Sequence, residues 1–190
     1  MFIQTEATPN PATLKFLPGR DVHPAGAIEF NDIAAAQVSP LASALFNVEG
    51  VRRVFFGNDF ITVTKTEDYD WPHIKPSLLG AIMDVFVSGK AVINEGVVVE
   101  PKTASHAYEG DTAQIVREIE DLLETRVRPA VAQDGGDIDF DRFDPQTGVV
   151  YVRLRGACAG CPSSTITLKQ GIENMIKHYV PEVTSVEQAL

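Results

Sequence analysis

Pro101-Lys102-Thr103-Ala104-Ser105-His106-Ala107-Tyr108-Glu109-Gly110 has no apolar residues at helical or strand spacing, yet it separates two regions that have both. It reads as a linker. The 190-residue chain therefore divides into two small domains, 1–100 and 111–190, joined by the linker 101–110. Each domain mixes strands and helices without long βαβ units, so the fold class expected is α+β.

Downstream of the linker, Asp111 with Gln114 three residues on has the spacing of a capping box, and Ile115, Ile119, Leu122 and Leu123 follow on one helical face. Pro129 should end or bend that helix. Gly135-Gly136 lead into a strand over residues 137–143, where Ile138 and Phe140 alternate with Asp137, Asp139 and Asp141, predicting a half-buried strand with an acidic, solvated outer face. A turn over 144–148 returns the chain as a strand over 149–154. Leu168, Ile172, Met175, Ile176 and Tyr179 then form a helical stripe with Pro162 in its first turn, and Val183 and Val186 fit a last strand.

Upstream of the linker, residues 2–6 and 13–17 read as short strands around Pro9-Asn10-Pro11. Ser39 and Pro40 are suited to the N-cap and first position of a helix over 41–46. Residues 51–56 and 60–64 flank Gly57-Asn58-Asp59 as a hairpin. Ile74, Leu78, Ala81, Ile82, Val85 and Phe86 recur at helical spacing until Gly89, and Pro76 is expected to confine the regular helix to its downstream side.

Composition narrows the function classes. With 26 acidic against 16 basic side chains and a net charge of −10, a general nucleic-acid binder is disfavoured. No apolar run reaches the length of a membrane span, and the strand-like opening does not resemble a basic-then-apolar leader, which suggests a cytoplasmic or a trimmed organellar protein. No phosphate-binding glycine loop and no nucleophile–base pair can be assembled, so an enzyme is not expected.

The only two cysteines, Cys158 and Cys161, are too few and too close for a disulfide framework of the secreted kind. They sit in Gly156-Ala157-Cys158-Ala159-Gly160-Cys161-Pro162, between a strand and the start of a helix. Small intervening residues let both sulfurs face one point, and Gly156 and Gly160 permit torsions that other residues resist. The orphan N–H groups of the following helix should favour thiolates, and the glycines and proline suggest exposure at a turn. A 4Fe-4S cluster or a structural zinc takes four protein ligands. One chain offers two sulfurs, so a second copy related by a twofold axis would complete the set. A thiol–disulfide oxidoreductase of the thioredoxin type uses the same spacing, and a zinc-bridged interaction module is a further alternative. The absence of a βαβ unit upstream of the motif favours a metal centre.

Val131-Ala132-Gln133-Asp134-Gly135-Gly136-Asp137, followed by the cysteine motif, Ser163-Ser164 and residues 165–171, resembles the NifU C-terminal domain. Residues 1–16 and the hairpin over 51–64 resemble the Nfu N-terminal domain. The resemblance implies an Nfu-type scaffold or carrier that binds a 4Fe-4S cluster, with a 2Fe-2S form also conceivable, across a homodimer through Cys158 and Cys161. It further implies an upstream cluster donor, apo iron–sulfur proteins as recipients, and an N-terminal domain that helps to recognise them.

Other marked residues have plainer readings. His23, His73, His106 and His178 lie at no metal-ligand spacing from the cysteines and read as surface or packing residues, with His178 also suited to a helix C-terminus. The acidic run over 134–144 lacks the order of an EF-hand, and Trp71 beside Tyr69 reads as packing. Arg153 and Arg155 either point outward from their strand or offset the charge of a cluster.

Overall fold

The computed structural model describes residues 2–94, 96, 107–160 and 162–189, the side chains of 162–165 excepted. The chain forms two compact units, Met1–Glu100 and Pro101–Leu190, both α+β. The part of the expected linker over 101–106 lies outside the described residues.

In the first unit β1 (Gln4–Ala7), β2 (Thr13–Leu17), β3 (Ile28–Phe30), β4 (Val51–Phe56) and β5 (Ile61–Lys65) form an antiparallel sheet in the order β1-β2-β5-β4-β3. Register places Phe16 against Ile61, Val54 against Val63 and Phe30 against Val54, which lines one face with apolar side chains. Onto that face pack α1 (Pro40–Phe46) and α2 (Trp71–Val87) through Leu41, Leu45, Leu78 and Ile82, none of them accessible to solvent. Burying each such side chain stabilises the unit by about 1.5–3 kcal/mol. Strand β3 was not expected from the sequence, being three residues long.

Helix α1 starts as its sequence predicts. The Ser39 hydroxyl accepts from Ala42 N at 2.9 Å and donates to Val92 O at 2.5 Å, so one buried side chain both caps the helix and ties down the segment after α2. Ser39→Ala leaves two backbone groups without their partner and is expected to destabilise the unit by about 2 kcal/mol. A denaturant midpoint unchanged from wild type would refute this.

Pro76 does not confine α2 to its downstream side: the helix runs from Trp71 straight through it. The cost is one backbone hydrogen bond near the N-terminus, and Ile74 and Leu78, buried on either side of the proline, hold the turn against the core. Trp71 is a packing residue, as expected; its indole N–H donates to Pro11 O at 3.0 Å.

The second unit is a sheet in the order β6-β7-β8, with β6 (Gly136–Asp144) antiparallel and β8 (Ser185–Gln188) parallel to β7 (Val149–Gly156). Helices α3 (Gly110–Leu122), α4 (Arg128–Gln133) and α5 (Pro162–Tyr179) share a core with Ile138, Phe143, Val150, Val152 and Val186. Two expectations fail at α3. It begins at Gly110, inside the expected linker, and its N-cap is Glu109 with no side-chain capping bond, so Asp111 and Gln114 make no capping box. Gln114 instead donates to Glu118 at 3.3 Å. At Pro129 the helical course does not end, but its α-helical geometry is interrupted just before the proline by a π turn over Leu123–Val127, closed by Arg128 N donating to Leu123 O.

Candidate functional site

Strand β7 delivers the cysteine motif. Its last residue, Gly156, has φ 62 and pairs with Gly136 of β6. Beyond it Ala157 N donates to Gly135 O and Ala159 N to Gly156 O, each at 3.1 Å, and Gly160 has φ 83. Both glycines of the motif thus occupy the left-handed region for which they were singled out. The resulting turn over residues 157–160 points Cys158 inward and ends at α5, whose first residue is Pro162. Cys161 lies outside the described residues.

Cys158 is not exposed. It is 6% accessible and belongs to the same apolar cluster as Ile138, Leu154 and Ile172. A Cβ added at Gly136 would lie 2.5 Å from Cys158 Sγ and 2.9 Å from Arg155 O, so the sulfur rests against bare β6 backbone. This seat also reverses the expected ionisation. Burial, with the carboxylates of Asp134 and Asp137 adding to it, pushes the Cys158 thiol up to about 12, and the thiol form prevails at neutral pH. Cys158 of the metal-free chain should therefore alkylate slowly with iodoacetamide at pH 7, its rate rising about tenfold per pH unit through pH 10. The sign for stability is the same: the raised pKa favours the fold fully below the ordinary thiol value of 9.0 and loses that contribution as pH climbs towards about 12. A plateau in the alkylation rate by pH 8 would contradict the seat.

The acids of β6 form no solvated face. Asp137 is 6% and Asp141 3% accessible, and each is paired with arginine. Arg128, at the start of α4, reaches Asp137 and Asp139 at 3.0 Å, donates to Ile138 O at 3.0 Å and pairs with Glu124. Its Nε lies near Asp137 without the alignment of a hydrogen bond, so that contact is electrostatic. Asp137 is nevertheless shifted up, because desolvation outweighs the attraction of Arg128. Arg155 pairs with Asp139, while Arg153 and Arg142 pair with Asp141. Arg153 and Arg155 stand on the side of β7 opposite its buried residues, as the outward reading had them, and are bound there to strand carboxylates. A bulge between Phe140 and Arg142 falls at Asp141, which is buried all the same and bound by Arg153 and Arg142.

Among the described residues no three of His, Cys, Asp and Glu gather where they could hold a metal ion. His23 and His73 are both outside the second unit, His178 stands edge-on to Tyr179 at 5.0 Å, and His106 lies outside the described residues. Gly136 and Arg128 were not singled out by sequence reasoning. The signals for Gly136 were the doubled glycine, which read as a lead-in to the strand, and its place in the stretch that resembles the NifU C-terminal domain, and neither gave it a role.

Two small α+β units, the second leading from a β-hairpin through a turn at Cys158 to a long helix, define a two-domain protein with its cysteine motif in the second domain. Residues 3–89 match the family described as scaffold protein Nfu/NifU N terminal, and residues 119–187 match the NifU-like domain. The chain is 48% identical over 191 residues to the NFU1 iron-sulfur cluster scaffold homolog, mitochondrial, of Homo sapiens, covering 100% of this chain and 72% of that one. It is 49% identical over 188 residues to NifU-like protein 4, mitochondrial, of Arabidopsis thaliana, covering 99% of this chain and 66% of that one. A solution structure of a NifU-like protein from Saccharomyces cerevisiae aligns with 50% of this chain and 86% of its own, at 27% identity and a TM-score of 0.46. This chain belongs to the Nfu family of iron–sulfur cluster scaffold proteins. It spans about two thirds of the length of the curated relatives it matches.

Proposed function

We propose that the protein carries a 4Fe-4S cluster as cargo, held between two copies through Cys158 and Cys161 of each, and hands it to apo-proteins. The observation that supports this most directly is the ligand count. The whole chain has two cysteines, three apart, in a NifU-like domain, and no gathering of metal-ligating side chains among the described residues could complete a set of four. A second copy supplies the missing pair without any further residue.

The Cys158 seat adds a chemical step to loading. Iron must compete with the proton of a buried thiol, so binding releases protons and strengthens as pH rises. Delivery reverses this: recipient thiolates replace Cys158 and Cys161 stepwise, and the emptied Cys158 regains its proton and its apolar seat. That preference for the thiol works against the oxidoreductase alternative, which needs a thiolate of lowered pKa. The protein acts as a carrier and not as an enzyme. We assign cluster binding to residues 111–190 and recognition of donors and recipients to residues 1–100. The names of the relatives favour a mitochondrial setting, for which the matrix is our reading, with the bacterial cytoplasm as the other. No helix among the described residues is long and apolar enough to cross a membrane, and neither lipid nor nucleic acid is invoked as a partner.

The test is anaerobic reconstitution with iron and sulfide. Loading is expected to convert monomer to dimer in sedimentation, with four iron per two chains and the Mössbauer signature of a 4Fe-4S cluster. The loaded dimer should then activate an apo 4Fe-4S enzyme faster than equal iron and sulfide in solution, and a chelator should not suppress it. Zinc retained in place of iron, or catalytic disulfide turnover without transfer, would overturn the reading.

A further inference from the structure

Helix α5 turns an uncharged face to solvent. Ile166 is 63% exposed, and Gln170, Gly171 and Asn174 follow it, also exposed, over the next two turns. A Cβ at Gly171 would meet nothing within 4 Å, so the helix backbone is open there to close approach. On the opposite side Ile172 and Ile176 enter the core. The charges of the helix stand at the edges of this face or at its far end, and they are neutralised: Lys169 by Glu187 at 2.7 Å, Lys177 by Glu173 at 2.6 Å. A surface helix ordinarily places its charges opposite its core stripe. On a chain of net charge −10, this one carries on that side only the mutually neutralising Glu173–Lys177 pair towards its far end, and the exposed stretch from Ile166 begins one turn after Pro162, the residue that follows the cysteine motif in sequence.

We propose that this face is where two copies of the chain meet, α5 against α5 about a twofold axis, so that the two cysteine turns are brought together. The proposal rests on the shared-cluster reading and names the surface that builds it. Two arguments select a second copy as the occupant. In a twofold interface each residue near the axis faces its own counterpart, so any charge there meets a like charge; an uncharged face is what self-pairing of a strongly acidic chain requires. A dissimilar partner is under no such constraint and is best steered by opposite charge. The second argument is continuity along the chain: the face starts five residues after a cysteine pair that no gathering of metal-ligating side chains among the described residues completes as a ligand set.

The experiment uses the full chain in two double variants, Gln170→Glu with Asn174→Glu, and Gln170→Lys with Asn174→Lys, each reconstituted anaerobically with iron and sulfide. Each variant alone is expected to dimerise at least about tenfold more weakly than wild type in sedimentation and to retain correspondingly less iron. An equal mixture of the two should restore both, because Glu then faces Lys. Misfolding would not be cured by mixing, so rescue separates an interface from a structural defect. Variants that each load and dimerise like wild type, a mixture that stays as weak as its components, or a loss confined to transfer into an apo-acceptor would overturn the proposal, the last by giving the face to recipients. Those outcomes leave the shared cluster standing. A wild-type chain that carries an intact cluster as a monomer overturns the shared-cluster reading, and this proposal with it.

Discussion

Cys158→Ser and Cys161→Ser are each expected to abolish stable cluster binding. Losing one ligand per chain removes two of four from a shared centre, and a hydroxyl is a poor substitute for thiolate at iron. The two variants should differ in the metal-free state. Cys158 is part of the core, so a serine there places a hydroxyl in an apolar seat and should lower the stability of the second unit by about 1–3 kcal/mol. Iron and sulfide content after desalting, read beside a urea midpoint, measures both effects. A Cys158→Ser chain that keeps a full cluster would show that the ligand has been misassigned; one that melts like wild type would show that the buried seat is wrong.

Gly136→Ala should be as damaging, although residue 136 is no ligand. The added methyl would lie 2.5 Å from Cys158 Sγ and 2.9 Å from Arg155 O. The sulfur can swing away, but the carbonyl belongs to the β6–β7 ladder and cannot move without opening the Gly136–Gly156 pair. Overpacking of this kind costs about 1–3 kcal/mol. It should also drive Cys158 from its seat, raising its alkylation rate at pH 7 while iron retention falls. A variant with wild-type stability and wild-type thiol reactivity would refute the contact.

These two residues mark the boundary of what a sequence can reveal. Cys158 and Cys161 were legible as candidate ligands because spacing is local: two thiols three residues apart, between a predicted strand and a predicted helix, can share one centre whatever the rest of the chain does. Most helices and strands were legible for the same reason, since Ser39 capping α1, the hairpin read over 51–56 and 60–64 and the Ile172–Ile176 stripe all rest on neighbours within a turn or two. Gly136 was not, because its partner is 22 residues away and the two meet only when β6 pairs with β7.

The amino-acid sequence by itself determined the two-domain α+β plan, the cysteine turn with its two left-handed glycines, and the family. Tertiary structure alone decided the environment of that turn. Sequence chemistry placed the thiol at a helix start and expected a thiolate; packing turned Cys158 into the core, where desolvation and the nearby carboxylates of Asp134 and Asp137 outweigh whatever the helix start contributes. Alternation expected a solvated acidic face on β6; the reach of Arg128 across from α4 and the arginines of β6 and β7 made it a set of ion pairs in which Asp137 and Asp141 are buried. Both reversals share one physical origin. Spacing along the chain governs which side chains can share a face, but burial, and with it the cost of a charge, depends on what the folded chain brings over that face.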